Sequence, residues 1–469
     1  MRYLTPVLAA AIILSTASTS ADLGDQLFKL LPDDGAGLDG FGRSVSVCCT
    51  TAIVGSMYDD DNGNASGSAY LFSITTGEQL AKLLPNDGVE GDQFGNAVAI
   101  SSTSEKEIAI IAAWSDDDNG THSGSAYLFD VSDPTKPVQI AKILAFDGTE
   151  ADLFGWAVAI YGNYAIVGAR YDDASGYRSG SAYLFDVTDP SNVILIAKLI
   201  PDDIAEGDEF GYSVAICETT AIVGAWADDD NGEASGSAYL FDTTTGQQIV
   251  KLLPSDGDTD DRFGNSVAIS GPSGKEIAIV GARFDDDNGF QSGSAYLFNA
   301  TTGEQISKLL PSDGDGGDDF GAAVAISVTI KNEIAAVGTP RNGEYNYSDS
   351  GTVYLFDTES GQQIAKLLPK DINGSDMLGW TVAISGDTVI SGAIWDQDNG
   401  FQSGSAYLFD ASLDQLCPWD LDNSGIVDTS DLLTLFAQWG TDGPADFDGS
   451  GVVDTTDLLI LFANWGPCG

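Results

Sequence analysis

Short runs of alternating or continuous apolar residues recur in groups of four along most of the chain and predict β-strands. In one group the runs are Tyr212–Ile216, Thr220–Gly224, Ser237–Phe241 and Gln248–Leu252. Gly, Asn, Asp and Thr separate them, as turn chemistry requires. Each group opens on a Phe-Gly pair, at Phe41, Phe94, Phe154, Phe210, Phe263 and Phe320, with Leu378-Gly379 as a seventh variant. The spacing runs from 53 residues (Phe41 to Phe94) to 60 (Phe94 to Phe154). A second marker, Ser-Gly-Ser-Ala-Tyr-Leu-Phe, ends at Phe72, Phe129, Phe185, Phe241, Phe298 and Phe409. The sixth group has Ser-Gly-Thr-Val-Tyr-Leu-Phe, ending at Phe356. Four strands, A to D, repeated seven times predict a β-propeller.

The ends of the array support a closed ring. The seventh group has strands A to C, but after Phe409 the chain runs straight towards Cys417. Gln26–Leu31 matches the strand D pattern and precedes the first Phe-Gly. The N-terminal strand is therefore expected to complete the last blade, which removes two sheet edges open to aggregation. Strand D carries a lysine in every copy: Lys29, Lys82, Lys142, Lys198, Lys251, Lys308 and Lys366. Lysine on an outer edge discourages pairing with other sheets, and that is the role expected of these seven.

The Phe-Gly pair and a strand B ending Ile-Val-Gly-Ala (Ile222–Ala225) resemble the FG-GAP repeat family, which includes the head of integrin alpha subunits; the resemblance covers residues ~22 to 411. It implies a seven-bladed propeller that binds partners. Integrin-type blades place an Asp-x-Asn-x-Asp-Gly calcium loop between strands A and B. Here that connection is Ser101–Glu107 or Gly162-Asn163, so the family's calcium residues do not carry over.

Composition changes the picture in two ways. The net charge is −52, from 19 basic and 71 acidic residues, which excludes nucleic acid and anionic membrane as partners. Disorder is excluded too, because 43% of residues are hydrophobic and fall in ordered runs. At the N-terminus, Arg2 precedes an apolar run from Leu4 to Leu14 and a small polar stretch ending at Ala21. This reads as a secretory signal peptide over 1–21. With no longer apolar segment, no membrane span is expected, and the protein is expected to be secreted, extracellular or on the cell surface. Five cysteines suit that setting.

Antiparallel order puts B-to-C turns and D-to-A loops on one face. The B-to-C turn reads Asp-x-Asp-Asn-Gly in five blades, with aspartates at Asp59 and Asp61, Asp116 and Asp118, Asp228 and Asp230, Asp285 and Asp287, and Asp396 and Asp398. These residues fit turn capping and are also possible calcium ligands. Two further aspartates recur in every D-to-A loop, as Asp34 and Asp39 do in the first. Residues that vary between blades are better candidates for ligand contact. Trp156, Trp380, Arg43 and Tyr212 follow the Phe-Gly pair, where other blades have Asn96, Asn265 and Ala322. Trp114, Trp226, Arg170 and Arg283 follow strand B, with Trp395 one residue further on. Aromatic side chains here could stack on sugar rings or anchor a protein, or they could pack between blades.

Residues 417–469 hold a 26-residue repeat, from Asp420 to Asp446. Oxygen-bearing residues fall at loop positions 1, 3, 5, 9 and 12: Asp420, Asp422, Ser424, Asp428 and Asp431, then Asp446, Asp448, Ser450, Asp454 and Asp457. Gly stands at position 6, and the Ile426 and Val452 carbonyls fall at position 7. This is EF-hand spacing, and it predicts two calcium loops. Each leads into a short helix whose apolar residues (Leu432, Leu435, Phe436, Trp439; Leu458, Leu461, Phe462, Trp465) are expected to pack together, tryptophans included. Cys417 and Cys468 flank the module, and a disulfide between them would clasp its ends. The segment resembles a dockerin. That resemblance implies a cohesin-like partner or another cell-surface anchor, contacted through loop positions 10 and 11: Thr429, Ser430, Thr455 and Thr456. The Trp-Gly helix ends and the terminal Gly-Pro-Cys-Gly depart from cellulosomal dockerins.

The chain has one histidine, His122, which argues against His-based triads and His-rich metal sites, and no phosphate-cradling glycine loop precedes a helix. The expected class is all-β: a seven-bladed β-propeller over 22–411 closed by the N-terminal strand. A linker at 412–416 leads to a small helical module with two calcium loops at 417–469. The expected function is that of a secreted or surface-attached calcium-binding propeller mediating protein or glycan binding or adhesion, tethered through the dockerin-like module, with a protein or polysaccharide ligand on the propeller and no catalysis. A polysaccharide-active enzyme using paired carboxylates and a structural coat protein are the alternatives.

Overall fold

The computed structural model describes residues 23–104, 106–329, 333–342, 350–371, 374–413, 419–421, 426–441, 443–447 and 450–467. The expected signal peptide at 1–21, the expected calcium ligands Asp422, Ser424 and Asp448, and the expected Cys417–Cys468 disulfide lie outside them.

Each sheet is built by hairpins. After β1 (Gln26–Leu30) come β2 (Phe41–Cys48), β3 (Thr51–Ser56), β4 (Ser68–Ser73) and β5 (Gln79–Leu83), which pair in sequence order as strands A to D of the first blade. Seven such four-stranded antiparallel sheets make a seven-bladed propeller. In the seventh sheet β1 lies beside Ser405–Asp410, with Lys29 opposite Tyr407. In the first sheet Lys82 faces Tyr70 in the same register.

One hydrogen bond repeats between successive sheets. The N–H of Phe94 donates to the Ser66 carbonyl at 3.0 Å, and the N–H of Phe41 donates to the Ser403 carbonyl of the seventh sheet at 3.0 Å. The A strands of neighbouring sheets pack on one another around the ring, so they surround the axis and the D strands lie outside. Strands B and C are buried along almost their whole length. Sheets cover both of their faces, which is why they read as continuous apolar runs.

The Phe-Gly pair has two separable jobs. Phe94 is fully buried and meets Tyr127 and Phe129 edge-on, at 5.4 and 6.0 Å between ring centres. Gly95 has φ +89°, and a Cβ there would collide with the Ser68 carbonyl; a Cβ on Gly55 of strand B would collide with the Gly95 carbonyl. Two blades thus touch backbone to backbone where only glycine fits. In the seventh blade Leu378 replaces the phenylalanine, and Tyr407 and Phe409 stack instead, at 6.3 Å and 27°.

Two short helices follow, α1 (Thr429–Ala437) and α2 (Thr455–Ala463). Each starts on a capping box, Asp428 with Asp431 and Asp454 with Asp457. Val427, Leu435, Ala445, Val453 and Leu461 form their core. The expectation that the tryptophans share it is corrected: Trp439 and Trp465 are 41% and 42% exposed, each beside an exposed phenylalanine, Phe436 or Phe462. Nine-residue helices reach the shared core with Leu435 and Leu461 but end before the tryptophans, which lie past the last turn. No helix among the described residues is long and apolar enough to cross a membrane.

Candidate ligand-binding site

Because each blade places the residue after Phe-Gly at the same point near the axis, the seven residues at that position converge. Arg43, Asn96, Trp156, Tyr212, Asn265, Ala322 and Trp380 all line one cavity of about 220 Å³, together with Trp114, Arg283, Asp319 and Pro340. Two of the seven are structural. Asn96 is buried and donates to the Gly155 and Trp156 carbonyls at 3.1 and 3.2 Å, and Asn265 does the same to Gly321 and Ala322.

The aromatic candidates form an arc. Trp114 to Trp156, Trp156 to Tyr212, and Tyr212 to Trp226 are each 5.8 Å between ring centres. Arg170 lies 3.7 Å over the Trp156 ring, and Arg43 lies over Trp380 at 5.4 Å. Trp395 sits apart, lining a second cavity of about 340 Å³ with Tyr58, and Arg43 lines both cavities.

Sequence reasoning missed several members of this site. The residue before Phe-Gly is held in the left-handed region, with φ +54° at Glu209, +58° at Arg262 and +57° at Asp319. Glu209 accepts from Trp226 Nε1 at 2.9 Å and meets Arg170 at 3.5 Å. Asp319, 1% exposed, meets Arg283 at 3.2 Å and Arg341 at 3.5 Å, and burial raises its pKa against the pull of those arginines. Arg262 stacks on Trp226 and Phe284. The available signal was variation at the position before Phe-Gly: Gly40, Gln93, Leu153, Glu209, Arg262, Asp319 and Met377.

The acidic turns on this face cap themselves, as Asp59 accepts the Asp61 N–H at 3.1 Å and Asp228 the Asp230 N–H at 3.0 Å, and their carboxylates also meet a lysine. Lys82 Nζ lies 2.8 Å from Asp34, 2.9 Å from Asp59 and 2.7 Å from Asp61. Lys142 binds Asp87, Asp116 and Asp118 in the same way, Lys251 binds Asp203, Asp228 and Asp230, and Lys308 binds Asp256, Asp285 and Asp287. Lys29 of β1 enters the seventh blade's set, Asp371, Asp396 and Asp398. The turn carboxylates of these five blades thus share a lysine ammonium. The lysines are also not outward-facing guards of an edge, since their side chains are only 14–19% exposed. Burial alone lowers the Lys82 pKa, but the hydrogen bonds the ammonium donates to Asp34, Asp61, Tyr70 and Asp59 more than offset it and the net shift is upward. The aspartate two residues before Phe-Gly is different. Asp39, Asp92, Asp208 and Asp261 are pushed up to about 6, chiefly by burial, although each accepts a loop N–H that opposes the rise.

Comparison with known families assigns this frame. The FG-GAP repeat family matches residues 25–72, 78–129, 137–185, 194–241, 247–298, 304–356 and 362–409, one match per blade. The chain belongs to the FG-GAP repeat family. No curated protein matches it.

In this FG-GAP protein the C-terminal loops lie outside the matched residues. Among the described residues no three His, Cys, Asp or Glu side chains gather as a metal site. In the second loop, however, oxygens from positions 1, 5 and 7 do converge. Asp446 accepts the N–H groups of Ser450 and Gly451 at 3.0 and 2.7 Å, and Ser450 Oγ donates to the Val452 carbonyl at 3.1 Å. Position 12 is turned to the helix cap: Asp457, fully buried, accepts from Phe447 and Asp454 N–H groups at 2.7 and 2.8 Å, and Asp431 does the same with Leu421 and Asp428. Each such oxygen keeps a second lone pair, so this all-oxygen set fits calcium chemically. Thr429, Ser430, Thr455 and Thr456 occupy the exposed or half-exposed first turns of α1 and α2.

Proposed function

We propose that this FG-GAP protein is a secreted or surface-attached recognition module. Its propeller engages a protein or polysaccharide ligand at the axial cavity, and its C-terminal module tethers it. The observation that carries the reading is the convergence of the seven residues after Phe-Gly on one cavity. The blade repeats the backbone here, with the N–H of Arg43, Trp156, Tyr212, Ala322 and Trp380 each donating to the carbonyl three residues back, yet the side chains differ, and only those of Asn96 and Asn265 make a bond that recurs between blades. Large aromatic and arginine side chains at such a position suit recognition. The two axial carboxylates that could act as acid and base, Glu209 and Asp319, are each taken by arginine, which favours binding over catalysis.

In the same proposal β1 acts as the clasp of the ring, through its pairing with the seventh blade and through Lys29. Calcium would be held by Asp420, Asp422, Ser424, Asp428 and Asp431, by their counterparts from Asp446 to Asp457, and by the Ile426 and Val452 carbonyls. It would order the loops that present Thr429, Ser430, Thr455 and Thr456 to a cohesin-like or other surface anchor.

The test is a ligand screen on glycan and extracellular-protein arrays, with hydrolysis products monitored. Binding without turnover that is lost in Trp156→Ala and Trp380→Ala is the expected result. Turnover of a bound saccharide, or binding untouched by both substitutions, overturns the reading. Calorimetric titration with calcium should show binding that Asp446→Ala weakens, and heat-silent titration removes the calcium part.

A further inference from the structure

We propose that the axial cavity binds the acidic terminal residue of a saccharide, a sugar ring bearing a carboxylate or a sulfate; this rests on the axial recognition site proposed above. The first ground is where the arginines are. In a chain of net charge −52, seven residues are arginine, and the six described ones all stand on the face of the B-to-C turns and D-to-A loops: Arg43, Arg170, Arg178, Arg262, Arg283 and Arg341. Four of them touch the cavity or its ring arc directly.

The second ground is that these cations are under-paired. Arg283 and Arg341 share one carboxylate, Asp319. Glu209 is divided between Arg170 and Trp226. Arg43 and Arg262 make no ion pair among the described residues and rest on aromatic faces. The Nε groups of Arg170, Arg262 and Arg283 are buried without a hydrogen-bond partner. A buried guanidinium donor left unmade is costly. Its planar fork matches a carboxylate or sulfate, and of these three Arg283 lines the cavity where such a group would sit.

The third ground selects a saccharide over an acidic peptide. Trp114, Trp156, Tyr212 and Trp226 form a continuous half-buried aromatic wall, ring centres 5.8 Å apart and planes turned 44–63° to one another, an apolar surface of ring size that a flexible acidic side chain does not need. The cavity, at about 220 Å³, lies below the ~300–1,000 Å³ of ordinary ligand pockets, so it takes one ring. The neighbouring cavity continues past Arg43 to Tyr58 and the exposed Trp395, and has room for the next ring. Asp39 and Asp60 flank that second cavity. The charged ring therefore belongs at the axis, and the ring that follows it is bound through hydroxyls and stacking. At physiological salt the Debye length is about 8 Å, so the acidic remainder of the protein does not keep the ligand away.

The experiment is calorimetric titration of the full chain at physiological salt with four probes of similar length: an oligogalacturonate, a sulfated oligosaccharide, a neutral oligosaccharide and oligoglutamate. At least one acidic saccharide should bind, at least about tenfold more tightly than the other two probes. Comparison of the carboxylate and sulfate arms identifies the group. Arg43→Gln, which breaks no ion pair and alters a residue lining both cavities, should weaken that binding about tenfold, the scale of one charge-assisted contact, and Arg262→Gln, on the ring arc outside the cavity lining, should weaken it less. If a variant unfolds, displacement of the acidic saccharide from the unaltered protein by inorganic sulfate decides instead. Equal binding of the neutral probe, preference for oligoglutamate, or no binding of either acidic saccharide overturns the proposal. A neutral ligand lost in Trp156→Ala but indifferent to the arginine changes would leave the axial site standing and remove only its charge preference. A ligand indifferent to all of these changes removes both.

Discussion

Lys251→Met removes the centre of one intrablade ion cluster while keeping the length of the side chain. The ammonium lies 3.0 Å from Asp203, 3.0 Å from Asp228 and 2.6 Å from Asp230. Asp228 is 3% exposed in its side chain, whereas Asp203 and Asp230 are about half exposed. Stripping one partner from a buried pair costs about 3–5 kcal/mol; exposed pairs contribute about 0–1 kcal/mol each. Asp228 dominates, and Tyr239 and Ser237 still donate to it, so the expected loss is about 3 kcal/mol. At about 2.1 cal/mol/K of unfolding entropy per residue, a propeller of roughly 390 residues melts about 4 °C lower. Lys198→Met is the internal control. Lys198 binds two carboxylates, Asp147 and Asp172, because Ala174 stands where other blades have the third aspartate, so its loss should be smaller. Calorimetry with and without millimolar calcium adds a sharper test. With lysine gone, three carboxylates are left to bind a divalent ion, so calcium should partly restore the propeller transition of Lys251→Met and do less for Lys198→Met. A Lys251→Met protein that melts with the unaltered one, or that ignores calcium, would refute the reading of lysine as the cluster's cation.

Stability should fall as pH rises from about 4 to about 7. Asp39, Asp92, Asp208 and Asp261 are raised to about 6, so between their unfolded and folded values the folded state holds more protons, and stability is lost as they ionise. Asp34, Asp87, Asp147, Asp285, Asp313 and Asp396 are shifted downward by lysine and tyrosine contacts despite burial. Their contribution is present above their unfolded value and lost below it, so melting should peak near pH 4–5; a melting temperature that climbs steadily to neutrality contradicts this. Gly95→Ala should lower stability by more than about 3 kcal/mol, because its Cβ meets the Ser68 carbonyl at positive φ; Gly162→Ala, with φ +55° and open space around it, should cost only the backbone strain of about 1 kcal/mol. Equal losses in chemical denaturation would show that close blade contact is not what Gly95 serves. In the C-terminal module Leu435→Ala should cost about 2–5 kcal/mol, whereas Trp439→Ala should cost under about 1 kcal/mol because its ring is 41% exposed; the reverse order in thermal melts would place the tryptophan back in the core.

The blade frame was legible because its demands are local and repeat seven times. Tyr212–Ile216 was expected as a strand and Ser213–Cys217 is found; Thr220–Gly224 and Ser237–Phe241 each gain one residue, and Gln248–Leu252 is unchanged. The lysine clusters are not legible, although Lys82, Asp59 and Asp34 each stand out in the sequence. Lys82, Asp59 and Asp34 come from strand D, the B-to-C turn and the loop entering the blade, and only the fold brings them together. Seen as a strand, Lys82 is an edge residue; seen with its loops, it is a counter-ion. The axial site was half legible. Variation after Phe-Gly pointed to Trp156, Trp380 and Arg43, but the residue before Phe-Gly enters the site only because its left-handed backbone turns Glu209, Arg262 and Asp319 to the same face. No hydrophobic period encodes that.

The division of labour between the two kinds of cation follows from their shapes. A lysine ammonium is compact and can take three carboxylates arriving from different directions, which is what each blade presents. A guanidinium is flat, spreads its charge and rests on aromatic rings, which is what the axis presents. Of the 19 basic residues, seven strand D lysines therefore hold the frame, and four of the six described arginines gather at the axis. Features that repeat in every blade answer to the blade. The features that break the repeat, at the residues on either side of Phe-Gly, are free of that demand, and their convergence on one cavity is what makes the axis, rather than the far more numerous acidic turns, the place where this propeller meets its ligand.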